Sequence, residues 1–132
     1  MRSGVADSLV EAARRAQEQA YAPYSRFRVG AALEGADGSV HVGCNVENAS
    51  YGLAMCAERV ALGAAVAAGV RSFTRVAVVT DADPPAAPCG ACRQVLSEFA
   101  PDAVVVSIGS RTTLSWRVAD LLPAAFSRHQ LP

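Results

Sequence analysis

Two short segments, Cys56-Ala57-Glu58 and Pro88-Cys89-Gly90-Ala91-Cys92, constrain this chain more than any other feature. A fold that brings them together assembles three thiolates and one carboxylate. Three thiolates can hold a Zn²⁺ and leave the fourth tetrahedral position open for water. A carboxylate two residues from one ligand can carry that water's protons. Each half alone says little. A Cys-x-x-Cys serves equally as a redox dithiol, a structural zinc knuckle or two buried small residues, and a Cys-x-Glu means almost nothing. The two together, with Pro88 directly before the second pair, point to a catalytic zinc.

The whole chain sets the outer bounds. Its 132 residues suit a single domain, 1–132, with one core, and a hydrophobic content of 52% makes that core feasible. Formal net charge is zero, which argues against a nucleic-acid surface, because phosphate binding needs clustered positive charge. All 12 basic residues are Arg, so lysine Schiff-base chemistry is excluded. The N-terminus carries no apolar signal region and no run approaches a membrane span, so the expected location is the cytoplasm. In that reducing compartment four cysteines read as metal ligands or free thiols rather than disulfides.

Periodicity predicts the elements. Leu9, Ala13, Ala16 and Ala20 recur at helical spacing over residues 5–20, and Pro23 ends that helix. Phe27–Glu34 and Ser39–Asn45 read as strands joined by the turn Gly35-Ala36-Asp37-Gly38. A helix follows over Cys56–Ala68, stopped by Gly69. The near-continuous apolar run Thr74–Thr80 reads as a central strand. Beyond the Pro-rich loop Asp81–Pro88 come a helix over Gly90–Phe99, strands over Ala103–Ile108 and Thr112–Trp116, and a helical turn at Val118–Leu122. This order predicts an α/β sandwich with a mixed sheet. The link from Ile108 to Thr112 is too short for a parallel crossover, so the last two strands should be antiparallel.

Cys56 then starts one helix, and Cys89 and Cys92 straddle the start of the next. Helix N-termini offer unpaired N–H groups and a positive dipole end, which favour thiolates. Zinc lowers the pKa of bound water to about 7, and Glu58 can take that water's proton; read alone it only complements the helix dipole. Three thiolates around one Zn²⁺ leave excess negative charge. Arg59 is the candidate to offset it by donating N–H bonds to one or two ligand sulfurs, against the plain reading of a surface arginine. Cys44 could close the site as a fourth ligand, but it lies inside a predicted strand, where a free Cys is usually buried.

The two segments match the signature of zinc nucleobase deaminases, and the chain resembles the small free-nucleoside cytidine deaminases of the three-cysteine, homotetrameric type. The resemblance rests on Tyr21–Phe27, Val29–Leu33, Gly43–Gly52, Cys56–Arg59, Pro88–Gln94 and Leu121–Phe126, spread over nearly the full length. Arg26 stands where the family usually has Lys, and Ala124 where it often has Gly. The resemblance implies a three-layer α/β/α sandwich with a five-stranded mixed sheet, and deamination of cytidine and 2′-deoxycytidine to uridine and 2′-deoxyuridine in pyrimidine salvage. Hydroxide supplied at the one Zn²⁺ per subunit would attack C4. It also implies site roles. Asn45 and Glu47 would bond the ribose 3′-hydroxyl, Phe27 would stack on the pyrimidine, and the Ala57 backbone would meet the base edge. Tyr51, with Ser50, would shape the site at a subunit interface, and Phe126 would reach a neighbouring subunit's site. A homotetramer would bury apolar loop surface that a monomer exposes.

Three other readings stay open. One is a deaminase of a nucleoside-like antibiotic of the blasticidin type, which shares the zinc motifs; Asn45-Val46-Glu47-Asn48 favours ribose instead. Another is a nucleic-acid-editing deaminase, opposed by the missing basic patch and by the antiparallel final strands. The third is a non-enzymatic zinc module, which would need all four zinc positions filled by protein.

Overall fold

The computed structural model describes residues 4–132, and its elements follow the sequence periodicity closely. Helix α1 spans Gly4–Gln17, ending before the predicted Ala20 because residues 18–20 unwind into turns ahead of Pro23. Strands β1 (Gly30–Gly35) and β2 (Val40–Cys44) form the predicted hairpin, with Gly38 at φ +86° in the connecting turn. Then follow α2 (Ala57–Ala67), β3 (Phe73–Val79), α3 (Gly90–Phe99), β4 (Val104–Ile108), β5 (Thr113–Arg117) and the short α4 (Val118–Leu121). Two 3₁₀ turns, Tyr51–Leu53 and Arg128–Gln130, carry no sequence periodicity and were not expected.

The five strands form one sheet in the order β2-β1-β3-β4-β5, so β3 is central as its apolar run predicts. β3 and β4 pair in parallel, and the crossover between them carries α3. The other pairings are antiparallel, including β4 with β5, as the short connection requires. Alternation along each strand feeds two cores, one on each face of the sheet. Leu9 and Ala13 of α1 pack on Ala32, Ala77, Val79 and Ile108. On the other face, Ala57, Ala61, Leu62 and Ala65 of α2 and Leu96 of α3 pack on Leu33, Val76, Val78 and Val105. The result is the expected three-layer α/β/α sandwich.

One glycine sets the height of a functional helix. A Cβ on Gly43 would meet the Ala61 amide nitrogen and lie 2.7 Å from the Ala57 carbonyl oxygen. Only a residue without a side chain lets the first turns of α2 lie this close on β2. The N-terminus of α2, with Cys56 and Glu58, is thereby pinned to the sheet.

Candidate active site

Helix starts build the site. Cys56 is the N-cap of α2 and Cys89 the N-cap of α3, both in extended backbone, and neither side chain caps its helix. Their sulfurs stay free to point elsewhere. Cys92 lies in the first turn of α3 and is fully buried. The Cys56 and Cys89 Sγ atoms are 3.6 Å apart, and all three sulfurs lie within 4.8 Å of one another. Zn–S bonds of about 2.3 Å in a tetrahedron place sulfurs about 3.8 Å apart, so this donor set fits a Zn²⁺ with one position left over. Cys44 is not part of the cluster, so the site keeps three protein ligands.

The thiols do not ionise alike. Hydrogen bonds from Cys92, then Arg59 and Cys89, lower the Cys56 thiol to about 5. The shared bond with Cys56, burial and the nearby Glu58 push Cys92 far up. Cys56 is therefore a thiolate at neutral pH, while Cys92 keeps its proton until a cation displaces it. Arg59 lies across the cluster, with its Nη2 3.8 Å from Cys56 Sγ. Its charged form is favoured first by that bond and also by Cys92.

Glu58 is 5% exposed. Burial, helped by the Cys56 charge, raises its pKa against the opposing pull of a backbone N–H bond and Arg59. A buried carboxyl whose pKa is raised, beside a cysteine cluster, is suited to taking and returning a proton.

The segments flanking this centre are more open. A cavity of about 310 Å³ is lined by Tyr24, Ser25, Glu47, Asn48, Tyr51 and Ala54, two residues before Cys56. Glu47 is held within it by the Tyr24 amide at 2.9 Å, the Ser25 amide at 3.1 Å and the Ser25 hydroxyl. The Ser25 hydroxyl bond is the main cause that keeps its carboxyl below the usual range. Asn45 accepts from the Val29 amide at 2.9 Å and donates to the Phe27 carbonyl at 2.7 Å. It thus fixes the loop that presents Phe27 and retains one N–H and one lone pair for a ligand. The Tyr24 and Tyr51 rings meet edge to face with centroids 5.8 Å apart. Ala57 is buried at the first turn of α2, whereas Phe27, Tyr51 and Phe126 are exposed. The Phe126 carbonyl accepts from Gln94 Nε2 at 2.9 Å.

Sequence reasoning gave no role to Tyr24 or Ser25, and took Asn48 only as part of the Asn45–Asn48 stretch. The signal was available, because all three sit inside the Tyr21–Phe27 and Gly43–Gly52 stretches on which the resemblance partly rests.

Residues 4–108 match the family described as the cytidine and deoxycytidylate deaminase zinc-binding region. The chain belongs to this family. It is 47% identical over 131 residues to a cytidine deaminase of Sporosarcina psychrophila, covering 95% of this chain and 93% of that one. It is 49% identical over 125 residues to a cytidine deaminase of Halalkalibacterium halodurans, covering 93% and 95%. Its fold matches the crystal structure of a cytidine deaminase from Burkholderia pseudomallei with a TM-score of 0.88 and 54% identity, over 91% of this chain and 98% of the other. As a family member with the three-cysteine cluster, it takes one Zn²⁺ per subunit.

Proposed function

We propose that this chain hydrolytically deaminates cytidine and 2′-deoxycytidine to uridine and 2′-deoxyuridine, releasing ammonia. One observation carries the reading. In a member of this family, a three-cysteine cluster lies beside a buried carboxyl, Glu58, whose pKa is raised. Cys56, Cys89 and Cys92 hold the Zn²⁺, which when bound lowers the pKa of its water to about 7.

The chain's own residues do the rest. Glu58 takes one proton from the attacking water and delivers it to ring N3; it then carries the remaining hydroxyl proton at C4 to the amino group, which leaves as ammonia when the C4–N bond breaks. Burial raises its proton affinity above that of an ordinary carboxylate. Arg59 offsets the charge of the thiolates and holds Cys56 in place. Glu47, ionised and fixed by Ser25, accepts from the ribose 3′-hydroxyl, and the spare N–H of Asn45 donates to it. Phe27 stacks on the pyrimidine and the Ala57 backbone meets the base edge.

We further read residues 1–132 as one domain acting in a cytoplasmic homotetramer that serves pyrimidine salvage. Among the described residues no helix is long and apolar enough to cross a membrane. Tyr21, Tyr24, Val46, Tyr51, Leu53 and Met55 are exposed around the cavity, more apolar surface than a lone subunit should leave in water. Assembly would cover it, with Tyr51 at the interface and Phe126 reaching a neighbour's site.

The test is incubation of zinc-quantified protein with cytidine, 2′-deoxycytidine, free cytosine and a cytosine-bearing single-stranded oligonucleotide, with products separated by chromatography. The two nucleosides should be converted and the base and oligonucleotide left intact. Conversion of the oligonucleotide, or of no nucleoside, would contradict the assignment.

A further inference from the structure

Arg93 and Gln94 directly follow the second zinc-ligand segment on α3 and take no part in the chemistry above. Arg93 Nε donates to the Pro88 carbonyl at 2.8 Å, and its Nη1 donates to the Leu121 carbonyl at 2.9 Å. One rigid planar fork therefore sets both carbonyls at a fixed separation. The first belongs to the peptide that leads into Cys89. The second lies at the end of α4, where the segment toward Phe126 begins.

The two cysteines of α3 differ in what holds them. Cys92 is fully buried inside the helix. Cys89 is exposed, sits outside the helical backbone and has no side-chain capping bond. Its position depends on the orientation of the Pro88 peptide, and the Pro88 carbonyl is held by Arg93.

We propose that Arg93 is a positioning residue. It aligns Cys89 for metal binding by clamping the Pro88 carbonyl, and it ties the C-terminal segment to the helix that carries two of the ligands. The inference rests on the reading of Cys56, Cys89 and Cys92 as the zinc ligands. Lysine cannot replace this arginine, because a single ammonium does not present two donors held diverging in one fixed plane.

The experiment compares Arg93→Gln, Arg93→Lys and Gln94→Glu with the parent protein. Three quantities are read: the rate of zinc loss to an excess of a chelating dye, and KM and kcat for cytidine. Arg93→Gln should lose zinc about tenfold faster or more, the effect typical of removing a group that orients a metal ligand. Arg93→Lys should fall between it and the parent. Gln94→Glu removes the donor to Phe126 but leaves the Pro88 clamp, so it should hold zinc like the parent and raise KM. Parent-like zinc retention in both Arg93 variants would overturn the proposal, as would zinc loss from Gln94→Glu as fast as from Arg93→Gln. Should Arg93→Gln fail to fold, Arg93→Lys decides alone. A parent protein that takes up no zinc would instead overturn the assignment of the ligands, independently of any variant.

Discussion

The metal centre and the rim around it are built on opposite principles. The centre sits where two helices begin, on a sheet face packed with apolar side chains, and Glu58 and Cys92 are almost wholly out of solvent. The rim is carried by loops and 3₁₀ turns, and Tyr24, Phe27 and Tyr51 are all exposed. A centre that moves protons needs ligands anchored at the starts of packed helices and a carboxyl whose pKa burial can raise. A rim that admits and releases a nucleoside cannot be sealed in the same way. Its exposure is what the proposed tetramer would resolve, with neighbours completing walls that one chain leaves open.

Substitutions in the two regions should therefore fail differently. The largest effect is expected at Cys92→Ala, which removes a buried ligand; the protein should retain no stoichiometric zinc, show no turnover and tend to aggregate, because metal binding and folding are coupled. Metal analysis and size-exclusion chromatography of the purified variant check this, and full zinc content would break the ligand assignment.

Glu58→Gln should keep zinc but lower kcat by about 10²–10⁴-fold, the usual contribution of a positioned acid–base group. The same variant has a stability signature. Burial raises the folded-state pKa of Glu58, so its neutral form suits the fold and stability falls as pH rises from the ordinary glutamate range through the raised value. Metal-free Glu58→Gln should accordingly be more stable than metal-free parent above that window, and the gap should close as the pH drops below the ordinary value. Denaturant melts across pH measure it, and a gap independent of pH would show that Glu58 is not held in a desolvated site.

Substitutions on the rim, including the Phe126 that a neighbour would contribute to it, should act on affinity alone. Phe126→Ala is expected to raise KM by about 2- to 10-fold, in line with the loss of one aromatic contact, with zinc content and kcat nearly unchanged. An equal fall in kcat would erase the distinction between the regions. The smallest effect belongs to the backbone beside it. Ala124 has φ +54°, in the left-handed region that costs a residue with a side chain about 1 kcal/mol or more. Ala124→Gly should stabilise the protein by about 0.5–1 kcal/mol after the entropy cost of glycine, read from a denaturation midpoint.

The same contrast governs how much could be read from the sequence. The centre was legible because its chemistry is local: Cys-x-Glu and Pro-Cys-x-x-Cys each occupy one helix start, and helix starts follow from periodicity and capping. The sheet was equally legible, since the Thr74–Thr80 run marks the central strand and the short Ile108–Thr112 link forces antiparallel pairing. The rim depends on contacts remote in sequence. That Ser25 fixes Glu47 and that Asn45 spends two of its hydrogen bonds on the Phe27–Val29 backbone follow from how loops meet. No spacing rule encodes either. The departure at Ala124 was visible only as a missing glycine; its meaning, a strained φ, needed the backbone. The bridge from Arg93 to both Pro88 and Leu121 joins segments that no motif connects.

The most direct test of the central claim is to strip the metal with a chelator and titrate Zn²⁺ back while following conversion of cytidine to uridine. The protonated Cys92 must give up its proton on binding, so each addition should release acid and bind more weakly as the pH is lowered. The account predicts no turnover without metal and activity that rises linearly to a plateau at one zinc per chain. Turnover by the metal-free protein, or a chain that fills with zinc and converts no cytidine, would contradict it.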